Sequence, residues 1–295
     1  MKYTIIAFYK FVALPEFREL RESLRQFCAE RGIKGSILLA HEGINGTVTG
    51  SHEAIEQLLQ RFRSDARLAD LDVKESFAGF CSFKRLKVLL KKEIVASKVP
   101  ELADPTKQVG QYVEAQNWNE VISDPEVVVI DTRNHFECKV GTFKNAVDPQ
   151  TKSFGEFPKF VAENLDPKKH KKIAMFCTGG IRCEKASSYM ISQGFEKVMH
   201  LKGGILKYLE VVPPEESLWK GECFVFDHRV AVGHGVEVGS YSMCHSCGSP
   251  VTEEQKTSPY YETGVSCPAC FGKRSPDQLR RARERQQQYQ QRRGE

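Results

Sequence analysis

The chain has 295 residues, enough for two domains of ordinary size or three small ones. Its apolar and charged fractions, 40% and 27%, are those of an ordinary soluble protein, and no apolar stretch nears the length a membrane-spanning helix needs. The net charge of +5 arises almost wholly from the segment Phe271 to Glu295, which carries eight basic and three acidic residues and is a weak pointer to nucleic acid. Ten cysteines would form disulfides in a secreted protein, but Tyr3, Thr4, Tyr9 and Lys10 interrupt the first apolar run, which reads as a strand and not as a secretory signal. The expected compartment is the reducing cytoplasm. The cysteines then call for chemistry, metal or packing.

Residues 1–95 alternate strand and helix signals. Ile5 to Val12 predicts a strand, and Pro15 to Arg31 an amphipathic helix with Phe17, Leu20, Leu24 and Phe27 near helical spacing. Gly35 to Ala40 and Thr47 to Thr49 predict two strands joined through Glu42-Gly43-Ile44-Asn45-Gly46, where Asn-Gly is a hairpin signal. A helix from His52 to about Arg67 and strands at Val73–Phe77 and Leu86–Val95 follow. The order β-α-β-β-α-β predicts a ferredoxin-like α+β domain. In its last strand Leu86, Val88, Leu90 and Ile94 share one face and Arg85, Lys87 and Lys91 the other, either a grip for a phosphate backbone or a solvated sheet face.

Residues 96–112, with Pro100, Pro105 and Gly110, read as a linker, and residues 113–212 as an α/β domain with a parallel sheet. Val127-Val128-Val129-Ile130 is a continuous apolar run ending in Asp131-Thr132-Arg133, as expected of a buried parallel strand. Further on, the apolar run Ile173 to Phe176, the segment Cys177-Thr178-Gly179-Gly180-Ile181-Arg182-Cys183 and a helix-like stretch from Glu184 form a strand, a tight loop and a helix. Backbone N–H groups of such a loop point inward, the helix N-terminus adds its dipole, and Arg182 adds a full positive charge. All three favour an anion, so Cys177 is expected to be a thiolate. Sulfur transfer and phosphate-ester hydrolysis both use such a cradle. With four residues between Cys177 and Arg182 the ring suits a single terminal sulfur, whereas a tetrahedral phosphate needs one residue more. Cys183 is a candidate second sulfur, able to resolve a Cys177 sulfenic acid or persulfide as a disulfide.

Residues 213–272 open with Pro213-Pro214 and continue into an expected β-hairpin, Trp219–Asp227 against Arg229–Val232. Cys244 and Cys247, then nineteen residues, then Cys267 and Cys270 make two C-x2-C knuckles, the pattern of a structural four-cysteine Zn²⁺ site; two redox dithiols are the alternative. Residues 273–295, with Gln286-Gln287-Gln288, read as a basic low-complexity tail.

The loop C-x-x-G-x-R resembles that of single-domain rhodaneses, and two flanking segments support the likeness. Gly141-Thr142-Phe143-Lys144-Asn145-Ala146 resembles their "G-H-I-x-G-A" turn, with Thr142 in place of histidine, and Leu201-Lys202-Gly203-Gly204 resembles their "L-x-G-G" element. Taken with "E-G-I-N-G-T" near the N-terminus and "G-E-C-F-V-F-D-x-R-V" after Pro214, nearly the whole chain resembles the bacterial tRNA uridine(34) hydroxylase family. The resemblance implies an O2-dependent oxidoreductase that makes 5-hydroxyuridine at the wobble position, with Cys177 as active-site residue. It implies tRNA as partner, met at the anticodon loop, whose unstacked bases are accessible; no membrane or DNA partner is expected. No dinucleotide fingerprint or non-haem iron pattern stands out, so the electron donor is unassigned. A rhodanese-type sulfurtransferase carrying a cysteine persulfide is the alternative. A non-catalytic RNA or protein adaptor is disfavoured by the intact loop.

Overall fold

The computed structural model describes residues 2–293, so 294 and 295 at the end of the basic tail lie outside the described residues. The chain divides into two compact units, one spanning Met1–Cys223 with Gly233–Glu237, the other Phe224–Val232 with the chain from Val238 onward.

The first unit begins with β1 (Tyr3–Phe11), α1 (Phe17–Glu30), β2 (Lys34–Ala40), β3 (Gly43–Gly50), α2 (His52–Arg63), β4 (Asp72–Ala78) and β5 (Leu86–Leu90). They form a sheet of order β4-β1-β3-β2-β5, antiparallel except for β5 beside β2. This is the ferredoxin-like arrangement with one added edge strand. Leu24 and Cys28 of α1 and Leu58 and Phe62 of α2 pack in one core with Ile6, Phe8, Ile37 and Val48 of the sheet. Burying each such aliphatic or aromatic side chain is worth about 1.5–3 kcal/mol.

Two expectations for this domain change. Ala40 pairs with Gly43, so the β2–β3 turn is His41-Glu42, and Asn45-Gly46 lies inside β3. Gly46 is needed there for space, since a Cβ on it would lie 2.6 Å from the Phe8 ring. The last strand ends at Leu90, which leaves Lys91 and Ile94 beyond it, and its outer face exposes Leu89 beside Lys87. It is not a continuous basic strip.

The segment after β5 is packed against the next domain. Ala103 belongs to that domain's core, the Gly110 N–H donates to Ser187 Oγ at 3.0 Å, and β6 (Gln111–Val113) already pairs with its sheet, inside the stretch read as a linker. Then come α3 (Ala115–Ser123), β7 (Val127–Asp131), α4 (His135–Cys138), β8 (Gly141–Phe143), α5 (Phe157–Asn164), β9 (Lys172–Phe176), α6 (Ile181–Ser192), β10 (Lys197–Leu201) and α7 (Gly204–Val211). The parallel sheet has the order β6-β10-β9-β7. Next, β11 (Trp219–Gly221) pairs antiparallel with β8, and Trp219 meets Phe143 and Phe176 edge-on at centroid distances of 5.0 and 6.4 Å. That aromatic packing takes Trp219–Gly221 out of the expected hairpin and keeps the chain through Cys223 in the first unit.

The chain goes on through β12 (Cys223–Phe224) and β13 (Ala231–Val232), and within the second unit a tight turn is closed by the Val225 N–H donating to the Val230 carbonyl. Beyond it lie β14 (Ser242–Met243), β15 (Pro250–Val251), α8 (Glu253–Lys256) and α9 (Pro276–Arg293). The basic tail is therefore helical. It is anchored by buried Ala282 and by Arg283, whose guanidinium donates to both carboxylate oxygens of Glu262 at 2.8 and 2.7 Å. No helix among the described residues is long and apolar enough to cross a membrane.

The ferredoxin-like and rhodanese-like halves of the first unit are tied together by Lys185 of α6. Its fully buried ammonium lies 2.8 Å from Glu42 and 2.6 Å from Glu93. Lys185→Ala leaves two carboxylates facing an empty site and is expected to cost about 3–5 kcal/mol, read as a lower urea midpoint. Lys185→Met combined with Glu42→Gln and Glu93→Gln should recover much of that loss, because no buried charge is then left unpaired.

Candidate active site

The loop of Cys177 begins where β9 leaves the buried sheet. Its outward carbonyls are occupied: Ile205 and Leu206 N–H groups donate to the carbonyls of Cys177 and Thr178 at 2.9 and 3.0 Å. Those bonds require α7 to start almost on top of the loop. Gly204, at φ +67°, allows it, since a Cβ there would lie 2.5 Å from the Cys177 carbonyl oxygen. This is the physical content of the Leu-x-Gly-Gly element. With its carbonyls turned away, the loop aims amides at the sulfur, and the Gly180 N–H donates to Cys177 Sγ at 3.1 Å.

Arg182 is not free beside the sulfur. Its two terminal nitrogens donate to the two carboxylate oxygens of Glu137, each at 2.8 Å, and one also donates to Thr178 Oγ1 at 3.3 Å. Glu137 is fully buried and sits in α4, where its carboxylate also accepts from the backbone N–H of Asn134 at 3.0 Å. Asp131 and Arg133 form a second buried pair. Arg133 turns back onto Asp131, two residues earlier, and also donates to the Gly141 carbonyl, while Thr142 Oγ1 donates to Asp131 at 3.0 Å. The pair therefore ties the end of β7 to the start of β8. Asn145 takes the left-handed φ of +64° where the rhodanese turn has glycine.

Cys177 is 1% exposed, and burial alone would push its pKa up. A hydrogen bond from Cys183, the Arg182 charge and the amides of Cys183 and Arg182 overcome that effect and bring it to about 5. Cys183, also buried, moves the opposite way, raised by burial and by the neighbouring Cys177 sulfur. The opposed shifts favour the ionised form at Cys177 and the thiol form at Cys183. The three predicted residues, Cys177, Arg182 and Cys183, thus fall in one cluster.

Four further side chains beside the loop, Glu184, Tyr9, Tyr112 and Lys74, had no sequence signal of their own. Glu184 follows Cys183 and accepts from Tyr9 of β1 at 3.0 Å and from Tyr112 of β6 at 3.0 and 2.8 Å. Burial raises its carboxyl above the usual range, against the two tyrosine hydrogen bonds. Lys74 of β4 pairs with Asp72 at 2.8 Å and lies along the loop, so that a Cβ on Gly179 would be 3.9 Å from its Cδ. The ferredoxin-like domain thus supplies one side of the surroundings of the Cys177 loop. Neither Tyr9 nor Lys74 could be placed from the sequence, because contact with the loop arises only when the two domains pack.

In the second unit, the sulfurs of Cys244, Cys247, Cys267 and Cys270 all lie within 4.8 Å of one another. Two neighbouring separations are 3.7 Å (Cys247–Cys267) and 3.8 Å (Cys267–Cys270). Tetrahedral zinc with bonds of about 2.3 Å sets its sulfurs roughly 3.8 Å apart, so the four fit that ion.

Two family models match the chain: the UPF0176 acylphosphatase-like domain over residues 3–94 and the rhodanese-like domain over residues 114–210. Fold and loop together define a rhodanese-domain protein with an acylphosphatase-like N-terminal domain. A tRNA uridine(34) hydroxylase of Picosynechococcus is 53% identical over 289 residues, covering 98% of this chain and 97% of that one. The chain belongs to the tRNA uridine(34) hydroxylase family. Among solved structures, the rhodanese-like domain of an Anabaena protein is similar at 18% identity and a TM-score of 0.31, covering 38% of this chain and 80% of that one. Klebsiella pneumoniae BlrP1 is similar at 20% identity and a TM-score of 0.27, covering 30% of this chain and 25% of that one. Likenesses this partial carry no functional inference.

Thiolate absorbance in the ultraviolet, measured against Cys177→Ser, is expected to titrate with a midpoint near 5 and to stay constant above it. Arg182→Ala should move the midpoint up, and Arg182→Lys, which keeps the charge but not the fork, should move it less. An unshifted thiol, near the ordinary value of about 8.5, would show that the loop does not activate Cys177.

Proposed function

We propose that this protein hydroxylates C5 of the wobble uridine of tRNA, with O2 as co-substrate and Cys177 as the reacting residue. The observation that carries the reading is the 53% identity, over nearly the full length of both chains, to a tRNA uridine(34) hydroxylase. The activated Cys177 loop supports it from the chemistry. Placing one atom of O2 into the C5–H bond and releasing the other as water consumes two electrons and two protons. A thiolate and a thiol give up two electrons and one proton on joining as a disulfide, and solvent supplies the second proton. Cys177 and Cys183 are the pair we assign to this role, Cys177 as the ionised sulfur and Cys183 as the proton donor that closes the bond. A cellular thiol reductant would then restore both. Arg182, held by Glu137, keeps the positive charge at the loop through each change of state.

The intact rhodanese loop also favours a second reading, a sulfurtransferase in which Cys177 carries a persulfide, and the product separates the two. Cells lacking this protein and any parallel route should lose 5-hydroxyuridine under aeration, and the wild-type protein should restore it. Cys177→Ser should not, since a serine hydroxyl is neither ionised at neutral pH nor able to carry sulfur. Thiolated uridine in place of the hydroxylated base would establish the sulfurtransferase reading instead.

Cys244, Cys247, Cys267 and Cys270 we assign to one structural Zn²⁺, which when bound cross-links the two knuckles and leaves no open position for substrate. Elemental analysis of purified protein should give about one zinc per chain, and chelation should melt the second unit before the first. Metal-free protein with the second unit fully folded would remove the assignment.

A further inference from the structure

The second unit contains a cleft of about 370 Å³ lined by Ser246, Arg274, Gln278, Arg281, Arg285 and Gln288 together with the carboxylate residue Glu284. From Arg274 to Gln288 these arginines and glutamines recur at spacings of four, three, four and three, which makes one stripe along α9 and the residues before it. The opposite wall is the first cysteine knuckle. Ser246 lies between Cys244 and Cys247, and its carbonyl accepts from the Arg274 guanidinium at 2.5 Å.

The arginines of α9 fall into two sets. Arg280 is paired with Asp277 and Glu284, each at 3.2 Å, and Arg283 with Glu262 at 2.7 Å. In the cleft, Arg281 has no side-chain hydrogen-bond or ion-pair partner among the described residues, and Arg285 donates only to the Arg281 backbone carbonyl, at 3.3 Å. Glu284 is engaged by Arg280, so it offsets the cleft's charge only in part. Two uncompensated guanidinium groups one helical turn apart, about 6 Å along the axis, are separated on the scale of successive phosphates of a nucleic acid strand. The planar fork of each matches phosphate oxygens, and glutamine side chains can both donate to and accept from ribose and base edges. The same unit exposes the rings of Tyr260 and Phe271, 4.7 Å apart and 51% and 52% accessible. Unpaired bases stack on such aromatic surfaces, which favours RNA over an acidic protein as the partner.

We propose that this cleft, between the first cysteine knuckle and the Arg/Gln stripe of α9, is an RNA-backbone site that holds the phosphodiester chain of the tRNA substrate. The proposal rests on tRNA being the substrate, as argued above. Because Arg274 is tied to the knuckle, the cleft keeps its shape only while the four-cysteine site is intact.

The test is tRNA binding by the full-length, zinc-loaded protein as a function of KCl concentration. Arg281→Ala/Arg285→Ala is compared with Lys168→Ala/Lys169→Ala, an equal change of charge at two exposed lysines elsewhere. The arginine pair should weaken binding at least tenfold. It should also lower the slope of log affinity against log salt by about 1.5, since each lost phosphate contact removes roughly 0.7–0.9. Zinc content and circular dichroism should stay unchanged, and the KM for tRNA should rise with kcat preserved. Wild-type affinity and slope in the arginine variant, or an equal loss in the lysine control, would overturn the proposal, as would polyglutamate competing as well as tRNA per unit charge. Salt-dependent tRNA binding that needs the two arginines, found with no hydroxylated product, would leave the cleft standing while the hydroxylase reading fails.

Discussion

A charged sulfur in a site that water barely reaches has to be held by the protein itself, and the rhodanese-like domain is organised around that requirement. The sulfur of Cys177 accepts hydrogen bonds from the Gly180 amide and from Cys183 and lies in the field of Arg182. Arg182 is itself buried and stays in place because Glu137 takes both arms of its guanidinium. The charges therefore alternate from Glu137 to Arg182 to Cys177, and each would be costly if left unpaired. The same need explains the glycines, which let α7 come close enough to occupy the loop carbonyls and turn the amides inward.

The ferredoxin-like domain is joined to this assembly through α6, the helix that carries Arg182 and Cys183. Glu184 meets Tyr9, and Lys185 meets Glu42 and Glu93, so two consecutive residues of the helix contact the N-terminal domain. The Glu-Gly-Ile-Asn-Gly segment takes its meaning from this contact. Glu42 reaches Lys185 with one oxygen and the Ile94 N–H with the other, while Asn45 donates to the Ile94 carbonyl at 3.0 Å. A segment that reads locally as a hairpin turn is thus a docking element, in which Asn45 serves a distant carbonyl and Gly46 leaves room for the Phe8 ring.

The C-terminal region follows a different logic. Little of it is apolar, and its buried centre is Val251 with Cys244, Cys267 and Cys270. Four sulfurs at metal-binding separation take the place that a hydrophobic core fills elsewhere. α9 extends from this small centre with its arginines divided between internal ion pairs and an open stripe.

Local order and chemistry were legible in the sequence wherever they depend on neighbours along the chain. Helical and strand periodicity placed the ferredoxin-like elements, loop length and glycine content marked Cys177, and paired C-x2-C spacing marked the four cysteines. The tertiary structure alone decided the rest. Glu137 is one acidic residue among many until α4 folds beneath the loop, and Tyr9, Lys74 and Lys185 become neighbours of the site only through domain packing. Trp219 leaves its expected hairpin because the aromatic cluster at Phe143 and Phe176 buries it better, and the tail becomes a helix once Ala282 and Arg283 have partners. Backbone preferences act over a few residues, whereas burial and charge pairing act across whatever distances the fold has closed. Hence the sequence by itself marked Cys177 as the candidate residue, and only the tertiary structure decided which groups surround and pair with its sulfur.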